Sequence, residues 1–267
     1  MRSIQLLALD LDGTLIDKKL QIQPRVKTAI ATARAHGVRG CIVTGRMFRA
    51  ALPFARQLMF DTPVICYQGA AIIDPESDEV LRHDSLKNET VRELIAKCKA
   101  DRKHLQLFAN DQYYVEEQNE FSDLYAQLSR AHPIVVEALE VQFSTSPATK
   151  AVVIDRPDAV SAYRKELETA FAGKAYVTRS CPEFIEVLNP AVNKGDALRF
   201  VAARLGIEME AVMAVGDSWN DAPLLEAAGF GVAMGSAPAE LRAVAAAVVA
   251  DYDHDGVAEA VEKFVLQ

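Results

Sequence analysis

The sequence predicts an α/β protein, a doubly wound parallel sheet of Rossmann-like type with a smaller α+β domain inserted into it. Three observations carry this. Short apolar runs alternate with helix-length segments up to about residue 67, which is the rhythm of βαβ units. The rhythm breaks off near residue 84, where hairpin-like pairs take over, and resumes after residue 188. Polar clusters fall at or just past several strand ends, where open parallel sheets collect ligands.

Residues 4–10 read as a buried strand. It ends in "DLDGT" (10–14), two aspartates one residue apart followed by turn residues. "QPRVKTAIATARAHG" reads as a helix, with Pro24 in its first turn, His36 in its last and Gly37 as a left-handed cap. "VRGCIVTG" (38–45) and "PVICY" (63–67) are further buried strands, and "QGAAIIDPESDEVLRH" (68–83) is a hairpin turning near Pro75.

The insert opens with helical "NETVRELIAKCKA". The strands "HLQLFA" and "QYYVEE" follow, joined by the tight-turn signal "NDQ". A helical stretch runs through Leu128, and strand-like pieces cover 134–143. "KAVVID", a helix near 158–171 and the strands "AYVTR" and "FIEVL" complete it. Beyond "NPAVNKG" a helix spans 194–205 and ends at Gly206. The strand "AVMAVGD", a helix "WNDAPLLEAAG" closed by Gly229, the short strands "FGVAMG" and "AAAVVA", and the amphipathic helix "GVAEAVEKFVLQ" end the chain. The expected division is core over 1–83, insert over 84–188 and core again over 189–267.

Composition narrows the partners. Half of the 267 residues are hydrophobic, a quarter are charged, and the formal net charge is -8 with no compensating basic run. Such a chain suits neither a nucleic-acid backbone nor an anionic membrane. Cys41, Cys66, Cys98 and Cys181 are scattered without metal-site spacing, as buried thiols in a reducing cytoplasm would be. The absence of a secretion signal or a membrane-length apolar run fits the same compartment.

Four clusters converge on one chemistry: Asp10 with Asp12, Thr44-Gly45-Arg46, Lys194, and "GDSWND" (216–221). Singly each has an ordinary reading as a turn, a helix entry, a surface lysine or an N-cap. Together they crowd Asp10 and Asp217, which a hard divalent cation such as Mg²⁺ stabilises through oxygen ligands. A phosphate then finds the Thr44 hydroxyl, the Gly45 N–H and the Lys194 ammonium. Asp10 can attack phosphorus, while Asp12 gives a proton to the leaving alcohol and later activates water.

In their order, "DLDGTL", "VTGR", "VNKGDAL" and "AVGDSWNDAPLLEAAGFGVAMGSA" resemble the four motifs of the haloacid dehalogenase-like phosphohydrolases. They most resemble the Cof-type branch, whose α/β cap is inserted between the second and third motifs. The closing "DYDHDGVAEAVEKFV" resembles that branch's C-terminal segment. The resemblance implies a Mg²⁺-dependent phosphatase of small phosphorylated metabolites, often sugar phosphates, that works through an aspartyl phosphate.

By position it makes Asp10 the nucleophile and Asp12 the acid/base, which also lends its backbone carbonyl to the metal. Asp217 becomes the third metal ligand, with Leu11, Thr44, Gly45, Lys194 and Asn220 around the phosphate. Asp221 orients Lys194. Gln68-Gly69 departs from the Asn-Gly usual in that branch. The expected partner is a small phosphorylated metabolite, with no nucleic acid and no membrane, for a monomer or small homo-oligomer.

Two alternatives stay open. A phosphomutase of the same superfamily needs basic residues in the insert, where Arg179 is the candidate. A receiver-like or non-catalytic phosphate-binding module needs neither Asp12 nor the insert.

Overall fold

The central strand, Leu6–Leu9, is hydrogen-bonded on both edges: Leu6 lies opposite Val212 on one side and Arg39 on the other. The computed structural model describes residues 3–17 and 19–267. Its main sheet has five parallel strands in the order Ala247–Val248, Phe230–Ala233, Val212–Gly216, Leu6–Leu9, Arg39–Ile42. Every residue of Leu6–Leu9 and Val212–Gly216 is buried. Strands covered on both faces must be apolar throughout, and this is why "LLAL" and "VMAVG" do not alternate. Leu198, Val201 and Ala202 of the helix Lys194–Leu205 pack in one cluster with Leu6, Ala8, Val212 and Ala214.

The helix Pro24–Ala35 has Pro24 in its first turn, and Gly37 beyond it is left-handed at φ 84°. Val64–Cys66 departs from a simple continuation of the parallel sheet. It is tied to the main sheet by the bridge Val43–Ile65 and pairs antiparallel with Ala71–Ile73. Val80–His83 completes that three-stranded sheet. The turn before it is closed by Asp74, whose Oδ1 accepts the N–H groups of Glu76 and Ser77.

The chain divides into two compact units, one ending at Leu81 and resuming over Asn193–Gln267, the other Arg82–Val192. The second unit is built on a six-stranded sheet. Its order is Tyr176–Cys181, Phe184–Leu188, Lys150–Ile154, His104–Ala109, Gln112–Val115, Ile134–Val135. All pairs are antiparallel except the last. Asn110 and Asp111, both left-handed (φ 52° and 54°), make the tight turn that "NDQ" predicts. Leu105, Leu107, Val153, Ile185 and Val187 point to one face and pack with Val91, Leu94, Val160 and Leu167 of the helices Asn88–Ala100 and Pro157–Ala170.

The alternate residues include polar groups, of which Gln106, Lys150 and Glu186 are buried and His104 is half-buried. Lys150 Nζ meets Glu186 Oε2 at 2.8 Å and lies 4.9 Å from the Phe108 ring centre. His104 is flanked by the Asn119 and Gln106 amides, and burial pushes its imidazole down to about 4.

Two elements differ from the sequence reading. Residues 139–142 form a single helical turn, Leu139–Gln142, with the Leu139 N–H donated to Glu116. Only Leu139 of that turn is buried, so the alternation in "LEVQ" never meets a sheet. The helix before Gly229 ends at Ala227, and the next residue is extended (φ -73°, ψ 148°). Gly229 is therefore no left-handed cap, and its N–H goes to Met209 O.

Cys41, Cys66, Cys98 and Cys181 are free thiols, and burial pushes Cys41 and Cys98 each up to about 12. Among the described residues no helix is long and apolar enough to cross a membrane.

Candidate active site

Three loops meet at the carboxyl edge of the main sheet, all within the first unit. Asp10 follows the central strand and is 5 % exposed. Lys194, the first residue of its helix, is 1 % exposed and puts Nζ 2.6 Å from Asp10 Oδ1 and 2.5 Å from Asp221 Oδ1. Asp221 is fully buried, and its Oδ2 accepts the N–H groups of Asp217 and Ser218, both at 3.0 Å. Both Asp221 oxygens are thus spent on the protein, as suits a residue that orients Lys194. Asp217 Oδ1 accepts the Thr14 hydroxyl at 2.9 Å.

Gly13 makes this approach possible. It is left-handed at φ 81°, and a Cβ there would overlap the Asp217 carboxylate. Any other residue would combine backbone strain of about 1 kcal/mol or more with that collision.

Oxygens of Asp10, Asp217 and Asp221 lie within 4.8 Å of one another. Three carboxylates, those of Asp10 and Asp221 buried and that of Asp217 partly so, against the one Lys194 ammonium leave a formal excess of two negative charges. Burial raises the Asp10 carboxyl well above its ordinary range, and the charges of Asp221, Asp217 and Asp12 add to this while Lys194 opposes it. Burial, followed by the Asp221 charge, pushes Asp217 up to about 7. Burial alone would lower the Lys194 ammonium, but Asp10 and Asp221 outweigh it and hold it above its ordinary value. An all-oxygen donor set with this excess fits a hard divalent cation such as Mg²⁺.

Thr44 follows the strand Arg39–Ile42. Its N–H goes to Ile65 O, and its hydroxyl oxygen accepts the Arg46 N–H at 3.1 Å. Gly45 lies against Gln68, whose amide a Cβ at position 45 would overlap. Leu11 is buried, and its carbonyl accepts N–H groups of Thr14, Leu15 and Ile16, closing the turn after Asp10. Asn220, 7 % exposed, donates Nδ2 to Gln68 Oε1 at 2.8 Å, while its Oδ1 is buried with no hydrogen-bond partner. Tyr67, Gln68 and Gly69 form a run of left-handed residues (φ 52°, 60° and 100°). For the two non-glycines this costs on the order of 1–2 kcal/mol each, a strain that is characteristic of functional sites.

Asp12 stands apart from the buried carboxylates. Its side chain is 54 % exposed and held in a two-point ion pair by Arg46, itself 10 % exposed. Arg46 closes "VTGR" and carries no role in the sequence reading, and Thr14 enters the site only with the structure; Gln68 stands in the sequence as the departure from Asn-Gly, without a contact assigned to it. The signal for Thr14 was the fixed D-x-D-G-T wording. Nothing in the sequence foretells the Arg46–Asp12 pairing across 34 positions. Arg179 lies in the second unit, with Nε 3.2 Å from Cys181 O.

Comparison with known proteins gives the chain a family. The family described as haloacid dehalogenase-like hydrolase matches residues 7–261. The putative phosphatase M6_Spy0533 of Streptococcus pyogenes is 27 % identical over 99 % of each chain. The pyridoxal phosphate phosphatase YbhA of Escherichia coli is 29 % identical over 96 % of each. A haloacid dehalogenase-like hydrolase of Bacteroides thetaiotaomicron, known by crystal structure, superposes with a TM-score of 0.86. It shares 28 % identity over 98 % of this chain and 99 % of its own.

Proposed function

The chain belongs to the haloacid dehalogenase-like hydrolases and is one of their phosphatases, and from that premise we propose that it is a Mg²⁺-dependent hydrolase of small phosphate monoesters, sugar phosphates among them, acting in the cytoplasm through an aspartyl phosphate. The observation that carries this reading is the buried convergence of Asp10, Lys194, Asp217 and Asp221. Asp10 and Asp217, with the Asp12 backbone carbonyl, hold the metal. When bound, Mg²⁺ offsets carboxylate and phosphate charge.

The Asp10 carboxylate attacks phosphorus as the bond to the ester oxygen breaks, and that oxygen takes a proton from Asp12. Water then attacks the aspartyl phosphate, gives its proton to Asp12 and releases inorganic phosphate. Lys194 meets the phosphate charge in both steps, and Asp221 keeps it aimed. Leu11, Thr44, Gly45 and Asn220 supply further contacts to the phosphate oxygens, and hydrogen bonds fixed before the reaction cost no reorganisation during it.

The core site recognises the phosphate alone, and the inserted domain, residues 84–188, reads the leaving group. A panel of phosphorylated metabolites, with free phosphate as readout, tests the proposal. Mg²⁺-dependent release supports it; transfer between substrate hydroxyls without release would make the protein a mutase instead. Failure to turn over any ester, p-nitrophenyl phosphate included, would overturn it.

A further inference from the structure

Gln68 is placed with unusual care for a residue with no charge to contribute. It is 1 % exposed, left-handed at φ 60°, and anchored by its N–H to Thr44 O at 3.0 Å. Its side chain lies against Gly45 and takes Asn220 Nδ2 on Oε1 at 2.8 Å. The pair therefore joins the segments that carry Thr44-Gly45 and Asn220-Asp221.

An amide has one donor end and one acceptor end, and whichever end Gln68 takes leaves the other for the site. In the arrangement described, the end left over is the acceptor Oδ1 of Asn220, buried with no donor. A buried acceptor without a donor is costly, and beside an anion it is repelled. A half-turn of both amides exchanges the ends at almost unchanged shape. Gln68 Nε2 then donates to Asn220 Oδ1, and the Asn220 NH₂ takes the vacated place as a donor.

We propose that Gln68 is a positioning residue for phosphate: by pairing with Asn220 Oδ1 it turns the Asn220 NH₂ toward the bound anion. The inference rests on the reading of Asn220 as a phosphate contact, and the test separates the two.

The experiment is a double-mutant cycle read by the competitive inhibition constant of inorganic phosphate, with Mg²⁺ present and p-nitrophenyl phosphate as reporter. Asn220→Ala should weaken phosphate about tenfold, the scale of one lost hydrogen bond to a charged group. Gln68→Met keeps the length of the side chain but offers no amide, and should weaken phosphate several-fold with little change in Tm. The double variant should bind phosphate no worse than Asn220→Ala alone, because Gln68 acts through Asn220.

If Gln68→Met fails to fold, Gln68→Ala completes the same cycle. Losses that multiply would overturn the inference, since Gln68 would then act by its own contact. A lowered Tm with unchanged phosphate inhibition would make Gln68 structural and overturn it too. Unchanged inhibition in Asn220→Ala would remove Asn220 from the phosphate site, and the inference would fall with that reading.

Discussion

Arg46 grips Asp12 through two parallel hydrogen bonds, Nε to Oδ2 at 2.7 Å and Nη2 to Oδ1 at 2.6 Å. The fork fixes where the Asp12 carboxyl points, and one of its oxygens must leave the guanidinium before Asp12 can serve a leaving group. Lysine offers a point charge and no fork. Arg46→Lys should lower kcat about tenfold for alkyl phosphates, a modest positioning loss. It should matter less for p-nitrophenyl phosphate, whose leaving group hardly needs a proton. Equal losses on both ester types would detach Arg46 from the acid step.

Asp10→Asn should abolish turnover while the fold persists. The amide is a poor nucleophile, and it removes one of the two charges that hold Lys194. Phosphate release and circular dichroism check the two halves of the statement. Residual turnover near the unmutated rate would end the aspartyl-phosphate mechanism.

Much of this arrangement was legible from the chain, for a physical reason. Buried parallel strands must be apolar on both faces, so "LLAL" and "VMAV" announce themselves, and the polar residues that end them mark the sheet edge. Pro24 and the Asn110-Asp111 turn are local signals and were read locally. The Thr14–Asp217 and Arg46–Asp12 contacts were not, because no local pattern encodes which of many polar and charged residues meet across 203 and 34 positions. The left-handed backbone at Gln68 belongs to the same class: tertiary packing against Gly45 and Asn220 imposes it. The helical turn at 139–142 was misread because four residues satisfy a strand pattern as easily as a turn.

Removing divalent metal with EDTA should abolish activity, and Mg²⁺ should restore it. The same cluster sets a pH dependence of stability. Asp217, held up to about 7 mainly by burial, binds its proton more tightly folded than unfolded. That contribution is fully present below about pH 4, the ordinary aspartate range, and is lost as pH rises through 7. Mg²⁺ should therefore raise Tm by several degrees more at pH 8 than at pH 5, as scanning calorimetry would register. An equal shift at both pH values would separate the metal from Asp217.

The Lys150–Glu186 pair is nearly sealed, with 2 % and 3 % side-chain exposure. Lys150→Met removes the ammonium beside a buried carboxylate and should cost roughly 3–5 kcal/mol in urea unfolding. Adding Glu186→Leu should recover most of that, since an apolar pair of similar volume removes the buried charge as well. A single variant as stable as the double would mean that water reaches Glu186.

The inserted domain is expected to hold the leaving-group specificity. Replacing residues 84–188 with a short Gly/Ser linker should leave inhibition by inorganic phosphate nearly unchanged. It should cut kcat/KM for the best metabolite far more than for p-nitrophenyl phosphate, because remote binding energy is lost. A soluble capless core that ranks its substrates as the intact enzyme does would defeat the assignment.

The place of Leu6–Leu9 in the middle of its sheet has a consequence for synthesis. One neighbour, Arg39–Ile42, leaves the ribosome soon after it, but the other, Val212–Gly216, arrives some two hundred residues later. Until then the central strand keeps an open, apolar edge of the kind that invites wrong partners. The unit Arg82–Val192 is continuous in sequence and can close its own sheet during that interval. Asp10 meets Lys194 across 184 positions, and Asp221 must follow before the lysine is fully paired. A nascent chain therefore emerges without activity, and its first chemistry waits until the segment carrying Asp221 has been made and joined to the strand that carries Asp10.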